Sequence, residues 1–355
     1  MEKESPDVKE RRILMIELKG IRKVFNKGTS TENVAINNVN LLLNSGDFVT
    51  IIGGNGAGKS TLLNIVAGSL EADEGLILLN NNDVSRLKEH KRAPYFGRVF
   101  QDTMMGTAAD MTVLENLSLA YGRGKMRSLF RWSIHQKDKE YFIEQLKSLG
   151  LGLENRLTQK VGLLSGGQRQ ALTLLMATIR QEPSHRVIKR DYIRFFDGDK
   201  KQAKADFEKA FSNAKAEWKK SKEEIKESNL SKEEKTIKLK EAYKVFDTKV
   251  RVFDLTKPVL LLDEHTAALD PATAAKVLEI TKRIVKEQNL TTIMITHNMK
   301  DAIRYGNRLV MMSKGNIVVD VSGEEKQKLT IEQLLNMFNE ASKNDMLADS
   351  AILGD

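Results

Sequence analysis

Eight residues, Gly53-Gly54-Asn55-Gly56-Ala57-Gly58-Lys59-Ser60, do most to restrict what this chain can fold into. They fit G-x-x-x-x-G-K-[ST], in which small residues let backbone N–H groups curl around a phosphate without Cβ clashes. The pattern carries meaning only between a strand and a helix. Phe48 to Ile52 is a short apolar, β-rich run, and Thr61 to Ala67 reads as a helix ending at Gly68. The loop therefore calls for a nucleotide, taken as ATP, with Mg²⁺. Lys59 is expected to reach the β- and γ-phosphate oxygens and Ser60 to ligate the ion, while the helix adds its positive N-terminal end.

Other apolar runs end on polar residues. Leu14 to Leu18 alternates as a strand does, Val99-Phe100 leads to Gln101, Pro258 to Leu262 is closed by Asp263-Glu264, and Thr291 to Thr296 ends at His297. Strands alternating with helices predict an α/β fold with a parallel sheet, whose ligands bind beyond the carboxyl ends of the strands. Gln101, Asp263 and His297 should then converge on one sheet edge. Asp263 can hold the Mg²⁺ shell, and Glu264 is the natural general base, orienting water on the γ-phosphate. A neutral His297 can donate to that phosphate, and Gln101 can offer an oxygen to Mg²⁺ or to the water. Taken alone, such residues are more often structural; their order along the chain favours the functional reading.

With 355 residues, 41% of them hydrophobic and 30% charged, the chain can bury a full core. No stretch reaches the ~20 consecutive apolar residues of a membrane span. Met1 to Arg12 is densely charged and is not expected to be a secretory signal. The absence of cysteine excludes disulfides and Cys-based zinc sites and suits the cytosol. The net charge of +9 fits nucleic acid, an anionic membrane surface, or simply a lysine-rich composition. Residues 183–253 differ from the rest. From Asp199 to Lys249 the sequence is rich in Lys and Glu. Ala203, Phe207, Ala210, Ala214 and Trp218, then Leu239, Tyr243, Phe246 and Val250, recur at helical spacing. Ser231-x-x-Glu234 resembles a capping box opening the second helix. The expectation is a helical hairpin, against the alternative of a solvated, partly disordered segment.

Leu164-Ser165-Gly166-Gly167-Gln168 narrows the field further. With the phosphate loop, Gln101, Asp263-Glu264, Ala268-Leu269-Asp270 and His297 in that order, the chain resembles the ATP-binding subunit of an ABC transporter, nearly throughout except for the insertion. The resemblance implies a P-loop NTPase of the ABC ATPase type with a helical subdomain. Its domain would occupy residues 1–182 and 254–330, with 183–253 inserted and 331–355 a C-terminal helix and tail. It also implies ATP contacts from Gly53, Gly54, Asn55, Gly56, Ala57, Gly58, Lys59, Ser60 and Thr61. Leu164, Ser165, Gly166, Gly167 and Gln168 would close over ATP held by a second subunit, and Asp270 would link the two sites. Phe25 would stack on adenine, with a place in the core as the alternative. Where His265 stands most relatives have Pro; it tunes the base or fills the turn, the latter being preferred.

Competing classes fit less well. Chromosome-organising and repair ATPases carry a long coiled coil before the signature, zinc-bearing relatives need cysteines, and translation-factor relatives have two phosphate loops. What remains is an ATPase subunit on the cytoplasmic face of the membrane, working as a homodimer or pseudo-dimer with separate transmembrane permease subunits. The segments around Gln101 and His297 look like a bacterial importer group that uses a substrate-binding lipoprotein, some members apparently for amino acids. The runner-up is an exporter or lipoprotein-release ATPase, and the least favoured reading a soluble ATPase acting on nucleic acid through the basic hairpin. In the resemblance the permease meets the segment after Gln101, where Met104 and Met105 could line a groove. The insertion precedes the strand ending in Asp263 and is expected to take no part in hydrolysis.

Overall fold

A computed structural model describes residues 14–80, 82–123, 136–179, 185–195, 199–251 and 258–340. The N-terminal segment Met1–Arg12, the tail 341–355 and the expected domain limits at 182–183 and 253–254 lie outside them. The chain divides into two compact units. One holds Met1–Leu79, Asp83–Gln181 and Pro258–Asp355; the other holds Asn80–Asn82 and Glu182–Lys257.

In chain order the elements begin with β1 (Leu14–Phe25), β2 (Asn33–Asn44), β3 (Phe48–Gly53), α1 (Lys59–Ala67), β4 (Glu74–Leu79), β5 (Asn82–Asp83), α2 (Glu89–Arg92) and β6 (Phe96–Val99). Next come α3 (Val113–Tyr121), α4 (Gln136–Leu149), α5 (Gly166–Thr178), α6 (His185–Phe195), α7 (Lys200–Glu227) and α8 (Lys232–Arg251). The rest is β7 (Val259–Asp263), α9 (Pro271–Gln288), β8 (Thr292–Ile295), α10 (Met299–Arg304), β9 (Arg308–Ser313), β10 (Asn316–Ser322), α11 (Gly323–Lys328) and a helix over 331–340.

The six-stranded sheet runs β10-β9-β3-β8-β7-β6, parallel from β9 to β6 with β10 antiparallel at one edge. Its central strands are buried on both faces, as the unbroken apolar runs require. Their two-residue period divides them between two cores. Leu261, Ile293 and Ile295 join α1 residues such as Leu62 and Ile65 in one core. Leu260, Leu262 and Met294 join Leu172 and Leu175 of α5 and Leu278 of α9 in the other. Each such side chain contributes about 1.5–3 kcal/mol when fully buried.

The sequence pattern did not reveal the second sheet, an antiparallel one of order β2-β1-β4-β5. β1 continues to Phe25, although its alternation is lost after Leu18. The reason is a register shift between Leu18 and Ile21 in its pairing with β2, where a bulge turns successive side chains off the period of two.

In the second unit α7 and α8 are joined by a third helix, α6, which the spacing of apolar residues did not expose. Ala203, Phe207, Ala214, Phe246 and Val250 are buried, whereas Tyr243 is 46% exposed. The His185 ring meets Phe211 and Phe246 edge-on at 5.8 and 5.2 Å, and its Nε2 lies 2.8 Å from Asp247 Oδ1. Ser231 and Glu234 form the reciprocal pair expected at the start of α8: Ser231 N–H donates to Glu234 Oε2 (2.9 Å) and Glu234 N–H to Ser231 Oγ (3.2 Å).

Candidate functional site

The loop from Gly53 to Gly58 leaves β3 at its carboxyl end and feeds α1. Gly53 and Gly58 are forced to be glycine. At Gly53 (φ 156) a Cβ would lie 2.2 Å from the Met312 carbonyl oxygen, and at Gly58 (φ 96) 2.4 Å from that of Ala35. Gly54, Asn55 and Gly56 form an exposed crest, while Ala57 is buried and can offer only its backbone. Gly58 caps α1 in the left-handed conformation with no side-chain cap bond, so the first turn keeps its N–H donors for an external acceptor. Lys59 is 7% exposed, and its ammonium donates to the carbonyls of Gly53 (2.9 Å) and Gly54 (3.0 Å). Ser60 is exposed at the mouth, and Thr61 beside it is half-buried.

Because β3, β8, β7 and β6 are neighbours and parallel, the residues after them share one sheet edge. Ser60 Oγ donates to Asp263 Oδ1 at 3.3 Å, which joins the loop helix to the end of β7. Burial pushes the Asp263 carboxyl above its ordinary range, opposed by the Arg98 guanidinium (3.5 Å from Oδ2) and the Ser60 bond. Glu264 follows in a left-handed conformation (φ 43), which costs a non-glycine residue about 1–2 kcal/mol. Two bonds hold it there: Glu264 N–H to the Ile295 carbonyl (3.1 Å) and Ala267 N–H to its own (2.9 Å). The turn aims the carboxylate at His297, whose Nδ1 lies 3.5 Å from Glu264 Oε2. Gln101 is exposed in the loop directly after β6.

His265 is 3% exposed and packs under this turn, its Nε2 3.2 Å from Thr281 Oγ1. Burial depresses its pKa to about 4, so the ring is neutral at pH 7. It fills the turn. Phe25 ends β1 half-buried, with the Lys23 ammonium 5.8 Å from its ring centre.

The signature residues stand at the start of α5. Leu164 is buried, and Ser165 and Gly166 are exposed. Ser165 and Gln168 satisfy each other: Gln168 N–H donates to Ser165 Oγ and Ser165 N–H to Gln168 Oε1, both at 3.3 Å. One lone pair of the serine is thus engaged, while its O–H remains able to donate outward. Gly167 has a structural reason too, because a Cβ there would come within 2.2 Å of Thr273 Cγ2. Thr273 lies in the first turn of α9, whose cap is Asp270, accepting from Thr273 N–H at 3.0 Å. Hydrogen bonds from Thr273 hold the Asp270 carboxyl below its usual range.

Beside β6 runs an open groove of about 280 Å³ lined by Arg98, Phe100, Met105, Leu119, Arg123 and Met176 among others. Met104 and Met105 are 44% and 69% exposed. Arg123 donates to the carbonyls of Phe96 and Met176, and a Cβ at Gly97 would meet the Ala177 carbonyl oxygen at 2.1 Å. The end of α5 is thereby pressed onto β6. Arg98 and Arg123 do not stand out in the sequence as site residues. The signal for Arg98 was a charge within a short buried strand.

The family model described as ABC transporter matches residues 36–184. The chain is similar to the tyrosine transport ATP-binding protein of Clostridioides difficile, with 35% identity over 328 residues that cover 92% of this chain and 100% of the relative. It is 27% identical over 324 residues to the phosphonates import ATP-binding protein PhnC of Lactococcus lactis, covering 90% of this chain and 98% of the relative. Against the lipoprotein-releasing system ATP-binding protein LolD of Acinetobacter baylyi it is 32% identical over 170 residues, 47% of this chain and 70% of that one. The fold is shared with a dimeric post-hydrolysis state of an ATP-binding cassette bound to ADP and Pi: TM-score 0.54, 22% identity, 87% of this chain and 98% of that chain. The chain belongs to the ATP-binding subunits of ABC transporters and is an ATPase of that family. No helix among the described residues is long and apolar enough to cross a membrane.

Proposed function

We propose that this subunit powers solute uptake through separate permease subunits, and that its site works as half of a two-chain active centre. The observation that carries the site assignment is the meeting of two pairs on one sheet edge: Ser60 with Asp263 at 3.3 Å and Glu264 with His297 at 3.5 Å. ATP phosphates fit the open crest of the loop, with the free N–H groups of α1 and the Lys59 ammonium as donors. An all-oxygen pair with one carboxylate suits Mg²⁺, which otherwise takes phosphate oxygens and water. Ser60 and Asp263, with Gln101 at the next strand end, would hold it, and it would neutralise charge between the β- and γ-phosphates.

Glu264 then orients the attacking water and accepts its proton, and His297 donates to the γ-phosphate. The exposed Ser165 hydroxyl and the start of α5 from a second copy cover the same phosphate from the other side, with Asp270 beside them. Phe25 is the candidate for the adenine. Hydrolysis reopens the pair and so works the permease, which sits on the groove beside Met105 from the cytoplasmic face of the membrane. Uptake of an amino-acid-type solute, delivered by a substrate-binding lipoprotein, is supported by the likeness to the tyrosine transport subunit across 92% of this chain. Export or lipoprotein release is the second reading, supported by the shorter likeness to LolD.

Replacing Glu264 with Gln tests the chemistry. Turnover should fall by about 10²–10⁴-fold, the usual worth of a positioned base, while ATP still binds. Hydrolysis at the wild-type rate would remove the base assignment. Co-purification of the complex, with identification of its membrane subunits, tests the uptake reading; recovery with an export permease would refute it.

A further inference from the structure

We propose that Arg98 is a positioning residue that holds the Asp263 carboxylate in its metal-facing orientation and ties it, through the Phe100 ring, to the wall of the groove. Arg98 interrupts a strand otherwise made of Phe96, Gly97 and Val99. Its guanidinium reaches several ways at once. One nitrogen donates to Asn64 Oδ1 at 2.6 Å and lies 3.5 Å from Asp263 Oδ2. Another donates to Ser69 Oγ at 3.1 Å, and the group sits 4.5 Å from the centre of the Phe100 ring. The Arg98 and Asp263 side chains are only 14% and 15% exposed, so salt screens the pair weakly.

The two carboxylate oxygens therefore have separate duties. Oδ1 faces Ser60, where the ion would bind, and Oδ2 faces Arg98. The carboxylate cannot rotate without giving up an ion pair in a poorly solvated place. Arg98 Nε is buried without a hydrogen-bond partner, a cost of about 1–3 kcal/mol that an arginine free to turn outward would avoid. Phe100 and Met105 line the same groove, so whatever fills that groove and moves Phe100 also moves the charge beside Asp263. The inference rests on Asp263 serving Mg²⁺, and not on the direction of transport.

The test uses Mn²⁺ in place of Mg²⁺, with binding to the full chain plus a non-hydrolysable ATP analogue followed by electron spin resonance. Arg98→Gln should weaken Mn²⁺ binding about tenfold, the lower end of what loss of an orienting partner costs. Arg98→Lys should recover part of it. Phe100→Leu should shift binding the same way by less, and the double variant should be no weaker than Arg98→Gln alone. Analogue affinity in EDTA should match wild type throughout. Unchanged or tighter Mn²⁺ binding in Arg98→Gln overturns the proposal, and additive losses in the double variant overturn the tie to the groove. Should Arg98→Gln fail to fold, Phe100→Leu decides alone, with unchanged Mn²⁺ binding counting against it. If Asp263→Asn binds Mn²⁺ normally, the metal assignment fails instead.

Discussion

Two helix starts in this chain face the same problem and solve it differently. Both α1 and α5 begin with N–H groups that have no acceptor within their own helix. At α1 the cap is a left-handed glycine without a side-chain bond, so the donors and the positive end of the helix stay open. At α5, Ser165 and Gln168 close a capping box, and a further bond from Gln168 Nε2 to the Leu151 carbonyl (3.2 Å) fixes the turn. The first start is shaped to receive a phosphate. The second is a turn stiffened by its own side chains, which can be brought to a phosphate already held elsewhere. On the proposed reading, the contrast gives a physical reason for one chain to carry both parts of a nucleotide site and for a second copy to complete it.

Each helix start can be disabled separately. The largest effect should come from Ser165→Arg, which leaves ATP affinity of the single chain unchanged but lowers turnover by about 10²–10³-fold, the usual worth of one preorganised donor. Lost affinity in the single chain would mean that α5 serves its own nucleotide. Lys59→Ala should do the reverse and weaken ATP binding by the single chain about 10–100-fold, as expected for charge-assisted bonds worth about 1.5–3 kcal/mol; titration with a fluorescent ATP analogue checks both.

Acid should loosen the turn after β7 through His265, which is buried against α9. Its folded pKa of about 4 lies below the 6.5 of an unfolded imidazole, so the unfolded chain binds the extra proton between those values. The stability contribution is complete above pH 6.5 and declines as pH falls towards 4. Thermal unfolding across that window should show the slope, and His265→Met should flatten it. A slope unaltered by that change would place the acid sensitivity elsewhere.

A smaller effect belongs to Ser165→Ala, which removes the cap of α5 at a cost of about 1 kcal/mol, read from denaturant unfolding. The smallest concerns the charged helical unit. Deleting Asp199 to Lys249 should leave ATP turnover of a folded protein unchanged, and its loss would give α7 and α8 a part in hydrolysis.

How legible the molecule was in its sequence follows the same physics. The loop, Asp263-Glu264 and His297 could be read because each pairs a residue type of fixed chemistry with the end of an apolar run. Gly167 was legible only as part of the signature; its contact with Thr273 depends on α9 lying across α5, which no local pattern encodes. Arg98 was hidden because its meaning arises from four neighbours on different elements. The antiparallel sheet was obscured by bulges in β1, and α6 by an apolar face too short to stand out beside α7. Glu264 was expected to act as base, but its left-handed backbone, which aims it at His297, is a property of the folded turn.

Whether α1 of one copy and α5 of another enclose the same ATP can be read from the mass of Glu264→Gln in solution. Sedimentation velocity should show a monomer without nucleotide and a dimer with ATP and Mg²⁺, and adding Ser165→Arg should return the dimer to monomer. A Glu264→Gln chain that stays monomeric in saturating ATP, or a dimer that persists with Ser165→Arg, would contradict the account.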